Sequence, residues 1–247
     1  MDDSATALTL ADLLPTLRVF HDRVDAGAQL AQQLEMYRAT GPLILGIPRG
    51  GVPVAAEIAR QLDAQLDIVV ARKLGAPFQP ELAIGAVTAN GGRYINDALI
   101  QEAGVNDELL RTVTTEEMAE AHRRQARFRG DRPAPRIEGR TVIVVDDGLA
   151  TGATMRAAVR SLRKGRPARL VVAIPVGPPE TCAALRTEAD EVVALYEPEP
   201  FLAVGVHYQD FRPTEEQEIE RLLLENLQRR RSAQNQEKKP ATGMQAA

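Results

Sequence analysis

Short aliphatic runs alternate with amphipathic stripes along most of this chain. The run Leu43, Ile44, Leu45 predicts a strand over 43–47. Val54, Ile58 and Leu62 then fall on one stripe of a helix whose first turn tolerates Pro53. "LDIVVARK" reads as a second strand over 66–73, "ELAIGAV" as a third over 81–87, and the glycines at 91 and 92 as a turn before "RYIN". "VIVV", "RLVVAIPV" and "EVVALYEP" supply later strands over 142–145, 169–176 and 191–198. Helical spacing predicts helices over 26–39, 97–103, 106–128, 154–164, 179–187 and 214–230, the last with Leu222, Leu223, Leu224 and Leu227 on its apolar side. Strands that alternate with helices imply an α/β fold, a doubly wound and mainly parallel sheet flanked by helices. Ligands of such sheets sit at the carboxyl ends of the strands.

Composition narrows the picture. Of 247 residues, 44% are hydrophobic and only 4% aromatic, with no Trp, so Val, Ile, Leu and Ala must build the core, as suits strands covered on both faces. The expected organisation is a single domain over 18–230 with a helical insertion over 97–128, a mobile segment 1–17 and a polar, disordered tail 231–247. A net charge of −4 argues against nucleic-acid binding. The single cysteine, Cys182, together with an acidic start and no apolar run near membrane-spanning length, points to a cytoplasmic protein with no membrane partner. Cys182 has no paired base in sight, and His21, His122 and His207 show no metal-ligand spacing. The run Arg229 to Arg231 reads as solvated tail, with contact to an acidic partner as the alternative.

The chemistry concentrates in "TVIVVDDGLATGATM", residues 141–155. A buried ramp delivers Asp146 and Asp147 to a strand end, where adjacent carboxylates stay ionised only if cations or hydroxyl donors share their charge. Ribose hydroxyls beside a magnesium ion would do so. The small residues that follow, Gly148, Ala150, Thr151, Gly152, Ala153 and Thr154, offer backbone N–H groups and two hydroxyls at a helix start, a cradle for phosphate. A P-loop would need Lys after Gly152, and a phosphoacceptor receiver domain leaves Thr-Gly-Ala-Thr unexplained. The remaining alternative is a plain acidic turn before a Thr-capped helix.

This stretch closely resembles the phosphoribosyl-diphosphate (PRPP) motif of type I phosphoribosyltransferases. The resemblance implies that Asp146 and Asp147 hold the ribose hydroxyls and that 148–154 hold the 5-phosphate. "GIPRGG" is similar to the family's pyrophosphate loop, which places Arg49, Gly50 and Gly51 against the diphosphate and implies a non-proline cis peptide. "ARKLGAP" is similar to a basic strand-end segment that reaches pyrophosphate in some relatives. Arg72 and Lys73 are therefore candidates, with two solvated charges as the alternative. "EPFLAVGVHYQDF" is loosely similar to the base-recognising segment of purine-type members, where Phe201 could cover a flat ring or pack within a small hood. The resemblance spans about 26–212 and looks most like a bacterial group with an unassigned acceptor. It implies a homodimeric, Mg²⁺-dependent transferase of nucleotide salvage, with Mg²⁺ carried by PRPP rather than by direct protein ligands. It further implies catalysis by Asp146, Asp147, Arg49 and Lys73, and a mobile cover from 74–79 or 97–128. A PRPP-binding regulatory module is the rival reading.

Overall fold

Aliphatic strands bury both of their faces only when helices cover both sides of the sheet, and the chain does this. The computed structural model describes residues 18–76 and 79–237. Helix α1 (Arg23–Gln33), capped by the Asp22 carboxylate on the N–H groups of Val24 and Asp25, leads through a 3-10 turn (Glu35–Thr40) into strand β1 (Leu43–Gly46). Helix α2 (Gly51–Gln61) and strand β2 (Gln65–Ile68) follow. Next come the antiparallel strands β3 (Ala71–Ala76), β4 (Gln79–Thr88) and β5 (Arg93–Ile95), then helices α3 (Asp97–Glu102) and α4 (Asp107–Arg129). Strand β6 (Thr141–Val145), helix α5 (Ala153–Lys164), strand β7 (Arg169–Val176), helix α6 (Pro179–Arg186), strand β8 (Glu191–Tyr196) and helix α7 (Glu216–Glu237) complete the order.

The main sheet is parallel throughout, in the order β2-β1-β6-β7-β8. Its side chains alternate between two cores. Ile143 and Val145 pack with Leu30 of α1, Ile58 of α2 and Ile219 of α7. Val142 and Val144 pack with Met155 and Val159 of α5 and Leu185 of α6. The exposed edge of β2 is closed by Asn226 of α7, which accepts from Leu66 N–H at 3.0 Å and donates to the Ala64 carbonyl at 3.0 Å. Among the described residues no helix is long and apolar enough to cross a membrane.

Three expectations need correction. "LDIVVARK" is not one strand: β2 stops at Ile68, and from Ala71 the backbone pairs antiparallel with Thr88 and its neighbours in a second sheet. Local β-propensity cannot show that change of partner. Arg72 and Lys73 therefore lie within β3. Residues 74–76, expected in a loop, continue that strand with Leu74 fully buried, and Gln79 opens β4; residues 77 and 78 lie outside the described residues. The helices expected over 97–128 are present as α3 and α4, and β3, β4 and β5 pack against them around Leu74, Ile84 and Val87. The tail expected to be disordered from 231 is helical as far as Glu237. The segments 1–17 and 238–247 lie outside the described residues.

Candidate active site

The register of β1 beside β6 pairs Gly46 with Val145, so the turn after β1 and the acids after β6 leave the sheet side by side. Ile47 N–H donates to the Val145 carbonyl at 2.9 Å, and Gly51 N–H donates back to the Ile47 carbonyl at 3.0 Å. The two glycines of the turn lie against the two acids. A Cβ on Gly51 would stand 2.6 Å from the Val145 carbonyl oxygen and 2.8 Å from Asp146 Cα, and one on Gly50 would collide with the Asp147 carboxylate. Only glycine permits this approach. The Pro48–Arg49 peptide is cis, as the resemblance implies, and the Arg49 side chain is exposed.

Beyond the acids, Leu149 N–H donates to the Val176 carbonyl at 2.8 Å and the Thr181 hydroxyl donates to the Ala150 carbonyl at 3.0 Å, which ties the loop to β7 and α6. Gly148 packs under Val204 of the 3-10 turn Val204–His207, the segment expected to form a small hood. Gly152 takes a left-handed conformation, φ 69°, and turns the chain into α5. The first bond of that helix runs from Arg156 N–H to the Gly152 carbonyl, so the N–H groups of residues 153–155 have no acceptor within the helix. Such donors at a helix start, with the half-buried Thr154 and exposed Thr151 hydroxyls beside them, form an anion cradle.

Electrostatics mark the acids as a high-energy pair. Burial, then the neighbouring Asp147, push the Asp146 carboxyl well above the usual carboxylate range. The Asp147 N–H bond to its Oδ1 at 2.9 Å opposes this, as do the charges of Lys73 and Arg23. Burial raises Asp147 too, opposed chiefly by Arg23, whose Nε donates to Asp147 Oδ2 at 2.8 Å.

Arg23 was not foreseen. It is the first residue of α1, where a cation opposes the helix dipole, and that unfavourable placement in "HDRVD" was the available signal. Besides Asp147 it holds the Arg212 carbonyl at 2.8 Å and lies over the Phe211 ring at 4.2 Å. Phe211 stacks on Tyr208 at 5.0 Å, and the Tyr208 hydroxyl donates to the Asp147 carbonyl at 2.6 Å. The aromatics of "HYQDF" thus reach the acids. Phe201 instead stacks on the buried His207 ring at 6.2 Å.

Lys73 and Arg72 arrive from β3 into a cleft of about 560 Å³ shared with Glu116, Glu117 and Thr154. Lys73 is exposed there, whereas Arg72 Nε is bonded to Glu117 at 2.7 Å and so links β3 to α4. Cys182 is buried, and its thiol is pushed up to about 11, foremost by burial, which suits packing rather than nucleophilic attack.

The model of the phosphoribosyl transferase domain matches residues 19–209, which contain every residue of this site except Phe211 and Arg212. The chain belongs to this family. Among solved structures, the chain is similar to the protein TT1426 from Thermus thermophilus, 42% identical with a TM-score of 0.71 over 84% of this chain and 98% of that one. Two Mycobacterium tuberculosis proteins, from two strains and provisionally named phosphoribosyl transferases, are each 43% identical over 203 residues, or 82% of this chain. The chain spans 46% of the length of those two relatives.

Proposed function

We propose that the domain transfers the 5-phosphoribosyl group from PRPP to a nitrogenous acceptor, a nucleobase or related compound, with release of diphosphate. The observation that carries this reading is the contact of the Gly50–Gly51 turn with the Asp146–Asp147 pair, one strand away from the 150–154 cradle. The three parts match the three charged or hydroxylated regions of one PRPP molecule. In this reading the 5-phosphate takes the N–H groups of residues 153–155 with the Thr151 and Thr154 hydroxyls, and the ribose hydroxyls bond the two carboxylates.

As the bond from C1 to the diphosphate oxygen breaks, negative charge grows on the leaving group and positive charge on C1 and the ring oxygen. Arg49 and Lys73, both exposed at the site, stabilise the first charge. The carboxylates stabilise the second. The acceptor nitrogen then forms its bond to C1 and gives up its proton. Arg72, fixed on Glu117, positions β3 against α4 rather than meeting the leaving group. Phe201, half-buried and stacked on His207, is the flat surface near the hood on which an acceptor ring can rest, whereas Phe211 already carries Arg23 and Tyr208.

Among the described residues no three His, Cys, Asp or Glu side chains gather as a metal site. The two carboxylates nevertheless suit Mg²⁺, which takes one or two carboxylates beside substrate phosphates and water. When bound, it neutralises phosphate charge during departure. Asp146 and Asp147 would face it, directly or through water.

The test is a screen of nucleobases and small amines with PRPP and Mg²⁺, scored by diphosphate release, beside calorimetry of PRPP alone. Release with at least one acceptor, lost in Arg49→Ala, is the expected result. Tight PRPP binding without release from any acceptor would replace the transferase by a PRPP-binding regulator. No PRPP binding at all would overturn both.

A further inference from the structure

At the opposite end of the main sheet, where β2 begins and β6 is about to begin, arginines gather without a matching set of acids. A cleft of about 360 Å³ lies between α7 and the segment after α4, lined by Gln65, Asp67, Arg132, Pro133, Arg230 and Arg231 among others. Among the described residues the only carboxylate in its lining is Asp67, and it is already neutralised: Arg129, buried with it, holds its Oδ1 at 3.1 and 3.3 Å. Among the described residues, none of Arg132, Arg140, Arg230 and Arg231 forms an ion pair with a carboxylate. Asp63 stands 3.9 Å from Arg229, outside the lining.

Three of these guanidiniums are fixed in place by neutral oxygens. Arg132 donates to the carbonyls of Arg129 at 2.8 Å and Phe128 at 2.6 Å, at the end of α4. Arg140 donates to Gln65 Oε1 at 2.8 Å and the Gly41 carbonyl at 3.2 Å. Arg230 donates to the Asp63 carbonyl at 2.9 Å. These bonds orient the planar groups but leave their formal charge uncompensated and several N–H donors free. The positive groups also feel one another, since the charge of Arg230 opposes that of Arg140 and of Arg229. A chain of net charge −4 that holds Arg132, Arg230 and Arg231 at one cleft, with Arg140 beside it on Gln65, is storing repulsion, which an anion relieves. Arg229 and Arg230 are therefore no solvated tail, while Arg231 is exposed as that reading expects. Arg229 closes the end of α2 through the Ala59 and Arg60 carbonyls at 2.7 and 2.8 Å, and that contact sets Arg230 into the cleft.

We infer that this cleft is a second anion site, separate from the candidate active site, for a small ligand carrying two or more linked phosphates. Planar, pre-oriented donors favour phosphate oxygens. The volume lies at the small end of ligand cavities, which suits a phosphate chain with little attached rather than a folded partner.

The probes are inorganic tripolyphosphate and ATP, titrated by calorimetry into a chain carrying Arg49→Ala and Lys73→Ala, so that the cations of the candidate active site do not contribute. One equivalent of either probe is expected to bind. Adding Arg132→Gln with Arg230→Gln should abolish the heat while PRPP binding by the otherwise wild-type chain stays unchanged. If that pair unfolds the protein, Arg231→Glu at an exposed position should by itself weaken binding, on the order of tenfold. Tighter binding of ATP than of tripolyphosphate assigns the phosphates to a nucleotide, and the reverse order to an inorganic chain. Undiminished binding in these variants, no binding in the parent, or preference for a poly-glutamate peptide over both probes would each overturn the assignment.

Discussion

Gly51→Ala is the sharpest test of how the site is held together, because two expectations for it have opposite sign. Gly51 opens α2, and its neighbour Gly50 has ordinary helical angles of φ −62° and ψ −33°. On helix propensity alone, alanine at 51 should stabilise the protein by about 0.5–1 kcal/mol. The packing says otherwise. The new methyl would lie 2.6 Å from the Val145 carbonyl oxygen and 2.8 Å from Asp146 Cα, both main-chain atoms of the central strand's end. Relief requires β1 and β6 to part there by several tenths of an ångström, an overpacking that costs about 1–3 kcal/mol. The net expectation is a loss of roughly 0.5–2 kcal/mol, or roughly 1–8 °C in Tm for a chain of this size.

PRPP affinity should fall further than stability does, because the same shift separates the turn from the acids; a 1 Å misplacement can cost on the order of 100-fold. Gly50→Ala supplies the contrast. Its methyl meets the Asp147 side chain, which can rotate away, so stability should change less while PRPP affinity and the Arg23 ion pair both suffer. Thermal unfolding and PRPP calorimetry on the two variants decide the matter. A Gly51→Ala protein that is more stable than wild type and binds PRPP normally would refute the close-approach argument.

Three further outcomes are expected. Asp146→Asn should raise stability at neutral pH, because the folded state raises the carboxyl's pKa and so disfavours its charged form. The wild type binds more protons folded than unfolded between the usual carboxylate value and the raised one, so its stability falls as pH rises through that window, and the Asn variant's advantage should vanish below about pH 4 in chemical-denaturation curves. Gly152→Val forces a branched residue into φ 69° against the Thr181 methyl, at a cost of roughly 1–3 kcal/mol, and should abolish PRPP binding by calorimetry. Arg49→Ala should lower kcat more than it weakens PRPP binding, with Arg49→Lys restoring only part, as steady-state kinetics beside calorimetry would report.

The fold was legible where burial is symmetric. β1, β6 and β7 are aliphatic because helices cover both faces, so their runs could be read without knowing any partner. Residues 66–76 were misread for the complementary reason. Val69 and Val70 are as buried as the strand before them, but Val69 N–H bonds to Gly46 in one sheet while the Val70 carbonyl accepts from Ala89 of the other. A continuous apolar run carries no mark of where the hydrogen-bond partner changes. The end of α7 was misplaced similarly: Arg229 and Arg230 look like solvent-facing charge, and only the carbonyls at the end of α2 and at Asp63 show what they hold.

The candidate site divides along the same line. Its local parts, two acids, a glycine turn and a small-residue cradle, each occupy a few consecutive positions and could be recognised there. Arg23 is 124 positions from Asp147, and no local pattern connects them. Yet the ion pair changes how the acids work. Asp147 is already charge-compensated while Asp146 is not, so the two carboxylates are unequal before any ligand arrives. Asp146, raised by burial and by its neighbour, has the most to gain from an incoming cation or hydroxyl. Asp147 is tied through Arg23 to Phe211 and Arg212 and through Tyr208 to the hood. A ligand that displaces Arg23 from Asp147 therefore also loosens the link from the acids to Phe211 and Arg212, while the Tyr208 bond to the Asp147 carbonyl stays in place. The sequence motif presents two equivalent aspartates; the fold makes one a waiting charge and the other a joint.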